Sequence, residues 1–188
     1  MRNVVVSQFI TLDGVVEDPG GSENAPGGGW AFKFDRGPDG DKFKLDEVMA
    51  SDALLLGRKT YEGFAAAWPG RTDDVGFADK FNSMPKYVVS TTLTSPEWNN
   101  TTVIGTDLAK QIAALKEGGD GDILVNGSVR LVRALLHDDL VDELRLMVFP
   151  IVLGGGKKMF EEGVPPKPLK LVEAKQSADV AILTLQRA

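Results

Sequence analysis

Leu54-Leu55-Leu56-Gly57-Arg58-Lys59-Thr60-Tyr61-Glu62 is the stretch on which the fold turns. Ala53 and the three leucines read as a short buried strand, Gly57 stops it, and a helical segment follows from about Lys59 to Ala67. Glycine lets a backbone approach a phosphate, and a helix start offers free N–H groups and a favourable dipole. Arg58 and Lys59 add positive charge, and a guanidinium grips a phosphate monoester through two parallel bonds. Taken alone, the same residues also read as a turn with solvated charges.

Upstream, Val4 to Ile10 is β-branched and apolar and closes at the turn signal Asp13-Gly14, which predicts a first strand. Asp18 to Gly40 is rich in Gly, Pro and acidic residues and reads as a long loop carrying Trp30 and Phe32. From Asp41 to Ala50 the apolar spacing is helical.

Downstream, Lys86 to Ser90 and Thr102 to Ile104 read as strands. Asp107 then caps a helix with Leu108, Ile112 and Leu115 on its apolar face and Gly118 past its end. Asp122 to Asn126 is another strand, Gly127-Ser128 a turn, and Val129 to Leu136 a helix. This alternation predicts a mostly parallel sheet with helices on both faces. After Val141 it stops: Glu143 to Leu153, Leu169 to Ala174 and Val180 to Gln186 read as antiparallel strands with no long helix between them. With no repeat or linker, the expectation is a single α/β domain over residues 1–188.

Two further strand ends repeat the logic of the first junction, Ser90-Thr91-Thr92 and Asn126-Gly127-Ser128-Val129. Separately they read as a polar strand end and a helix cap. Together with Arg58 they describe a site for a phosphorylated nucleotide, because open α/β sheets bind ligands beyond the carboxyl ends of their strands. No G-x-G-x-x-G follows the first strand, and Gly154-Gly155-Gly156-Lys157-Lys158 lacks the spacing of a phosphate loop.

Composition narrows the rest. The 188 residues carry a formal net charge of −6, 43% hydrophobic and 26% charged residues, no cysteine and one histidine, His137. An acidic chain has no electrostatic footprint for nucleic acid. The absence of cysteine excludes a disulfide framework and a Cys/His zinc site, and no metal is expected. No membrane segment and no signal peptide are expected, which points to a cytoplasmic protein.

The quoted stretch resembles the strand and Gly-Arg-x-Thr segment of dihydrofolate reductases, and Ile123 to Ser128 resembles their apolar strand and glycine-rich turn. Ser7 to Gly14, together with the segment from Leu140 through Gly156 to Phe160, is similar to the riboflavin-pathway reductase branch, the RibD C-terminal domain family. The resemblance implies a dihydrofolate-reductase-like three-layer αβα sandwich, a homodimer, and NADPH as cofactor. It implies that Arg58, Lys59 and Thr60, after Gly57, contact the adenosine 2′-phosphate and neighbouring phosphates, with Ser90, Thr91 and Thr92 around the 2′-phosphate. Asn126, Gly127, Ser128 and Val129 would receive the pyrophosphate. Leu12, Asp13 and Gly14 would lie near nicotinamide and substrate, Trp30 would stack on substrate, and Leu153 and Gly154 would close the site.

The implied activity is hydride transfer from NADPH to a C=N or C=O carbon of a small heterocycle, as in 5-amino-6-(5-phosphoribosylamino)uracil reduction. Asp13 is the first candidate for the proton donor and a bound water the second. The alternatives are a non-catalytic NADPH-binding module, or a dihydrofolate reductase in which Asp41 supports the pterin. Asp41 also reads as a helix-start acidic residue favoured by the dipole. The deaminase domain to which riboflavin reductases are commonly fused has no counterpart in this sequence.

Overall fold

The computed structural model describes residues 1–188. One eight-stranded sheet runs through it in the order β4-β3-β2-β5-β1-β6-β8-β7. Its strands are β1 (Val4–Thr11), β2 (Ser51–Gly57), β3 (Lys86–Val89), β4 (Thr101–Ile104), β5 (Asp122–Val125), β6 (Glu143–Phe149), β7 (Leu169–Ser177) and β8 (Val180–Arg187). Strands β1 to β6 pair in parallel, and β8 runs antiparallel to both β6 and β7. The expected α/β class, with a mostly parallel sheet and antiparallel C-terminal pairing, is what forms.

Strand alternation sorts the side chains into two layers. Val4, Val6, Ala53, Leu55, Ile123 and Val125 face α4 (Leu108–Glu117) and α5 (Val129–His137), where they pack on Ile112, Leu131, Val132 and Leu135. Val5, Leu54, Leu56 and Leu124 face the other way, onto Val48 of α1 (Gly37–Ala50), Tyr61 of α2 (Arg58–Ala67) and Phe81 of α3 (Phe77–Ser83). Leu54, Leu55 and Leu56 are all fully buried, which is why an unbroken apolar run rather than an alternating one makes this strand. Burying each such side chain contributes about 1.5–3 kcal/mol.

Four local expectations are corrected. Helix α1 starts at Gly37 rather than Asp41, because Pro38 in its first turn needs no N–H partner and presets φ. The long loop contains a 3₁₀ turn at Trp30–Lys33. Strand β6 ends at Phe149 rather than Leu153, since Pro150 has no N–H to continue the ladder. Asp107 precedes α4 in a left-handed conformation without a side-chain cap bond. Helix α3 carries no periodic signal of its own length; it forms because Phe77 and Phe81 stack with Trp68, at 5.5 and 4.6 Å between ring centroids.

Candidate functional site

The order of the strands decides where the site lies. The chain moves from β1 over to β2, continues outward to β4, and returns to place β5 between β2 and β1. This reversal gathers the carboxyl ends of β2, β3 and β5 around a single cleft of about 1750 Å³. Gly57, Arg58, Lys59, Thr60, Ser90, Thr91, Thr92, Asn126, Gly127, Ser128 and Val129 all line it.

Arg58 opens α2 and bridges two of the junctions. Its Nη1 donates to Thr92 Oγ1 at 2.6 Å and its Nε to Glu62 Oε1 at 2.6 Å. Ser90 is turned inward: its Oγ accepts from the N–H groups of Thr92 and Leu93 at 3.2 and 3.0 Å, fixing the loop that carries the threonines. Thr91 and Thr92 stay exposed.

The other two junctions press against each other. Gly57 N donates to Gly127 O at 3.0 Å. A Cβ on Gly57 would collide with the Ser128 hydroxyl and come within 2.9 Å of Ser128 N. Gly127 has φ +131°, and a Cβ there would lie 2.7 Å from Thr60 Oγ1. Gly57 is required by close backbone approach to Ser128, and Gly127 by its positive φ beside the Thr60 hydroxyl. Val129 begins α5, so its first N–H groups open toward the cleft. Asn126 Oδ1 is buried without a partner. A basic rim, two glycine-lined junctions and an unpaired acceptor fit a phosphorylated dinucleotide.

Leu12, Asp13, Gly14, Leu153 and Gly154 do not line this cleft. Asp13 ties the end of β1 to the segment after β6: its carboxylate accepts from Thr11 Oγ1 at 2.6 Å, Gly154 N at 2.8 Å and Leu153 N at 3.2 Å. The Thr11 hydroxyl foremost, then the Gly154 amide, hold its pKa down at about 2. Asp13 is therefore an ionised latch with no proton to give at neutral pH, which corrects its reading as proton donor. Leu12 is 64% exposed, and Leu153 lines a separate hollow with Gly27, Gly155 and Gly156.

Trp30 is also corrected. It is fully buried, with its ring 5.3 Å from that of Phe149 and its Nε1 donating to Glu17 O at 2.9 Å, so neither face is free to stack on a substrate. The exposed aromatic on the cleft wall is Phe32, two residues on. Asp41 does reach the cleft, but its side chain is 63% exposed and pairs with Arg36 Nη2 at 2.7 Å.

Residues outside the three junctions occupy the end of the cleft beside β1. Ser7, Lys44 and Glu47 line it, and Ser7 Oγ donates to Glu47 Oε1 at 2.8 Å. Lys44 and Glu47 are spaced i,i+3, which in a sequence reads as an ordinary surface pair. Only the burial of Glu47 distinguishes it.

A family model of the RibD C-terminal domain matches residues 2–183. The chain belongs to the RibD C-terminal domain family. Among family relatives, the uncharacterized proteins YyaP and YwjB of Bacillus subtilis (strain 168) are each 27% identical to it. The YyaP match spans 177 residues, 93% of this chain and 88% of that protein, and the YwjB match 187 residues, 100% and 99%. A putative riboflavin biosynthesis protein from Shewanella sp. PV-4 superposes with a TM-score of 0.77 at 25% identity, covering 100% of this chain and 99% of that one. Acinetobacter baumannii RibD superposes with a TM-score of 0.70 at 16% identity, covering 100% of this chain and 58% of that one, which reflects a common RibD-like fold. No helix is long and apolar enough to cross a membrane.

Proposed function

We propose that this RibD C-terminal domain protein is an NADPH-dependent reductase that transfers hydride to the carbon of a C=N or C=O bond in a small heterocyclic substrate. The reaction resembles the reduction of a ribosylamino-pyrimidine in riboflavin biosynthesis. One observation carries the reading: the Arg58–Thr92 bridge and the glycine-lined mouth of α5 open into the same cleft.

Arg58, Lys59, Thr60, Thr91 and Thr92 would hold a 2′-phosphate, with Ser90 shaping their loop. The N–H groups that begin α5, next to Asn126, Gly127, Ser128 and Val129, would take the pyrophosphate. Bound NADPH supplies the hydride; the chain orients donor and acceptor and excludes water. The cleft continues past this region to Phe32, Lys44 and Glu47, which leaves room for a substrate beside the cofactor.

Calorimetric titration with NADPH and NADH tests the reading, followed by NADPH oxidation with a panel of pterins, pyrimidines and simple carbonyls. Binding of NADPH at least tenfold tighter than NADH, lost in Arg58→Ala, is expected. Equal affinity for the two cofactors, or an unaffected Arg58→Ala variant, overturns it.

A further inference from the structure

Lys44 is held on the cleft wall by two buried partners. Its Nζ donates to Ser7 Oγ at 2.7 Å and pairs with Glu47 Oε1, while the Ser7 hydroxyl donates to that same oxygen at 2.8 Å. Ser7 and Glu47 are 3% and 2% exposed, whereas the Lys44 side chain keeps 16%. The Phe9 ring lies 5.1 Å from the ammonium. Glu47 Oε2 is buried with no partner, so the carboxylate is not there to complete a closed network.

An ammonium has three N–H donors. Two are spent on Ser7 and Glu47, which leaves one on a residue that lines the cleft. A buried ion pair is a weak source of stability, so packing alone does not account for placing one here. The carboxylate beside Lys44 cancels its charge, and the pair favours a neutral acceptor atom over an anion. Asp13, the other candidate at this end of β1, is an ionised latch outside the cleft.

We propose that Lys44 is the proton donor of the reduction, that Ser7 and Glu47 are its positioning residues, and that the substrate presents a neutral imine nitrogen or carbonyl oxygen to the Lys44 ammonium. The inference rests on the reductase reading above. Bound NADPH would supply the hydride for the new C–H bond, and the π pair of the C=N or C=O bond would move to the heteroatom. The Lys44 N–H bond breaks and its proton joins that heteroatom. The substrate would gain the two electrons that the bound cofactor supplies, and Lys44 would be left as an amine that solvent reprotonates at its exposed edge.

The first test needs no turnover. In protein labelled with ¹⁵N-lysine, the Lys44 Nζ signal is identified by its loss in Lys44→Met. Uracil, a neutral ring with carbonyl acceptors, is then titrated in. A slowly exchanging ammonium signal that shifts with uracil is expected, and Glu47→Gln should return it to fast exchange. A Lys44 signal indifferent to uracil overturns the proposal.

The second test uses an acceptor that the wild-type protein reduces. Lys44→Met should lower kcat at least 100-fold, within the range of general acid catalysis, and leave NADPH affinity within twofold. Lys44→Arg keeps the charge but cannot release a proton, so its kcat should fall as far; this variant also covers the case in which Lys44→Met does not fold. Glu47→Gln should lower kcat with little change in KM, and Glu47→Asp should recover part of the loss. Absence of NADPH oxidation by the wild-type protein with every acceptor overturns the reductase reading and the proton-donor role with it, whereas full kcat in Lys44→Arg overturns the role of Lys44 alone.

Discussion

Glu62 Oε1 sits 2.6 Å from Arg58 Nε, on the guanidinium whose Nη1 reaches Thr92 at 2.6 Å. A carboxylate therefore occupies one edge of the cation proposed to hold the cofactor's 2′-phosphate. Both side chains are about half exposed, and such pairs contribute about 0–1 kcal/mol, so the bond is easily exchanged for a phosphate.

Because that carboxylate repels a phosphate, Glu62→Gln should tighten NADPH binding several-fold and leave NADH unchanged. Arg58→Ala should weaken NADPH by about 10–100-fold, the worth of one or two charge-assisted hydrogen bonds. Paired calorimetric titrations at fixed ionic strength read both effects.

Gly57→Ala places a methyl group against the Ser128 hydroxyl and 2.9 Å from Ser128 N, where backbone rather than a flexible side-chain end must yield. The expected cost is about 1–3 kcal/mol, the usual range for overpacking. Urea unfolding measures it, and NADPH affinity should fall with it because the start of α5 moves.

The Asp13 carboxyl titrates at about 2 in the folded chain, against 3.8 for the free side chain. A lowered folded-state pKa means that the unfolded chain binds more protons in this interval. The stabilisation is complete above pH 3.8 and is lost as pH falls through about 2. Asp13→Asn should flatten that part of the stability curve, read as urea midpoints between pH 5 and pH 2. At neutral pH it should leave the cleft's NADPH affinity unchanged.

Trp30 is sealed against Phe149. Trp30→Ala should cost about 3–5 kcal/mol in stability. Trp30→Phe should cost less but leave Glu17 O without its 2.9 Å donor. Below its melting temperature Trp30→Phe should bind NADPH as the wild type does. A substrate-stacking role would instead show as raised KM with unchanged stability.

Much of the fold was legible because its signals are local. The runs Val4 to Val6 and Ala53 to Leu56 are apolar on both faces, as central parallel strands must be. Gly57 and Gly127 mark junctions where only a missing side chain fits. Proline likewise set the start of α1 and the end of β6, although spacing alone misplaced both boundaries.

The residues Gly57 to Thr60, Ser90 to Thr92 and Asn126 to Val129 thus revealed themselves in order along the chain, and the sequence alone determined the α/β class and the cluster of junctions at the strand ends. What each polar side chain does was decided only by tertiary structure. Asp13 finds its amides 140 and 141 residues away, Lys44 finds Ser7 37 residues away, and Glu17 accepts the Trp30 indole from outside the loop that carries it. Periodicity and turn chemistry report the conformation of neighbouring residues. Burial and hydrogen-bond partners depend on which strands the sheet order places side by side, and that order exists only once the chain has closed on itself.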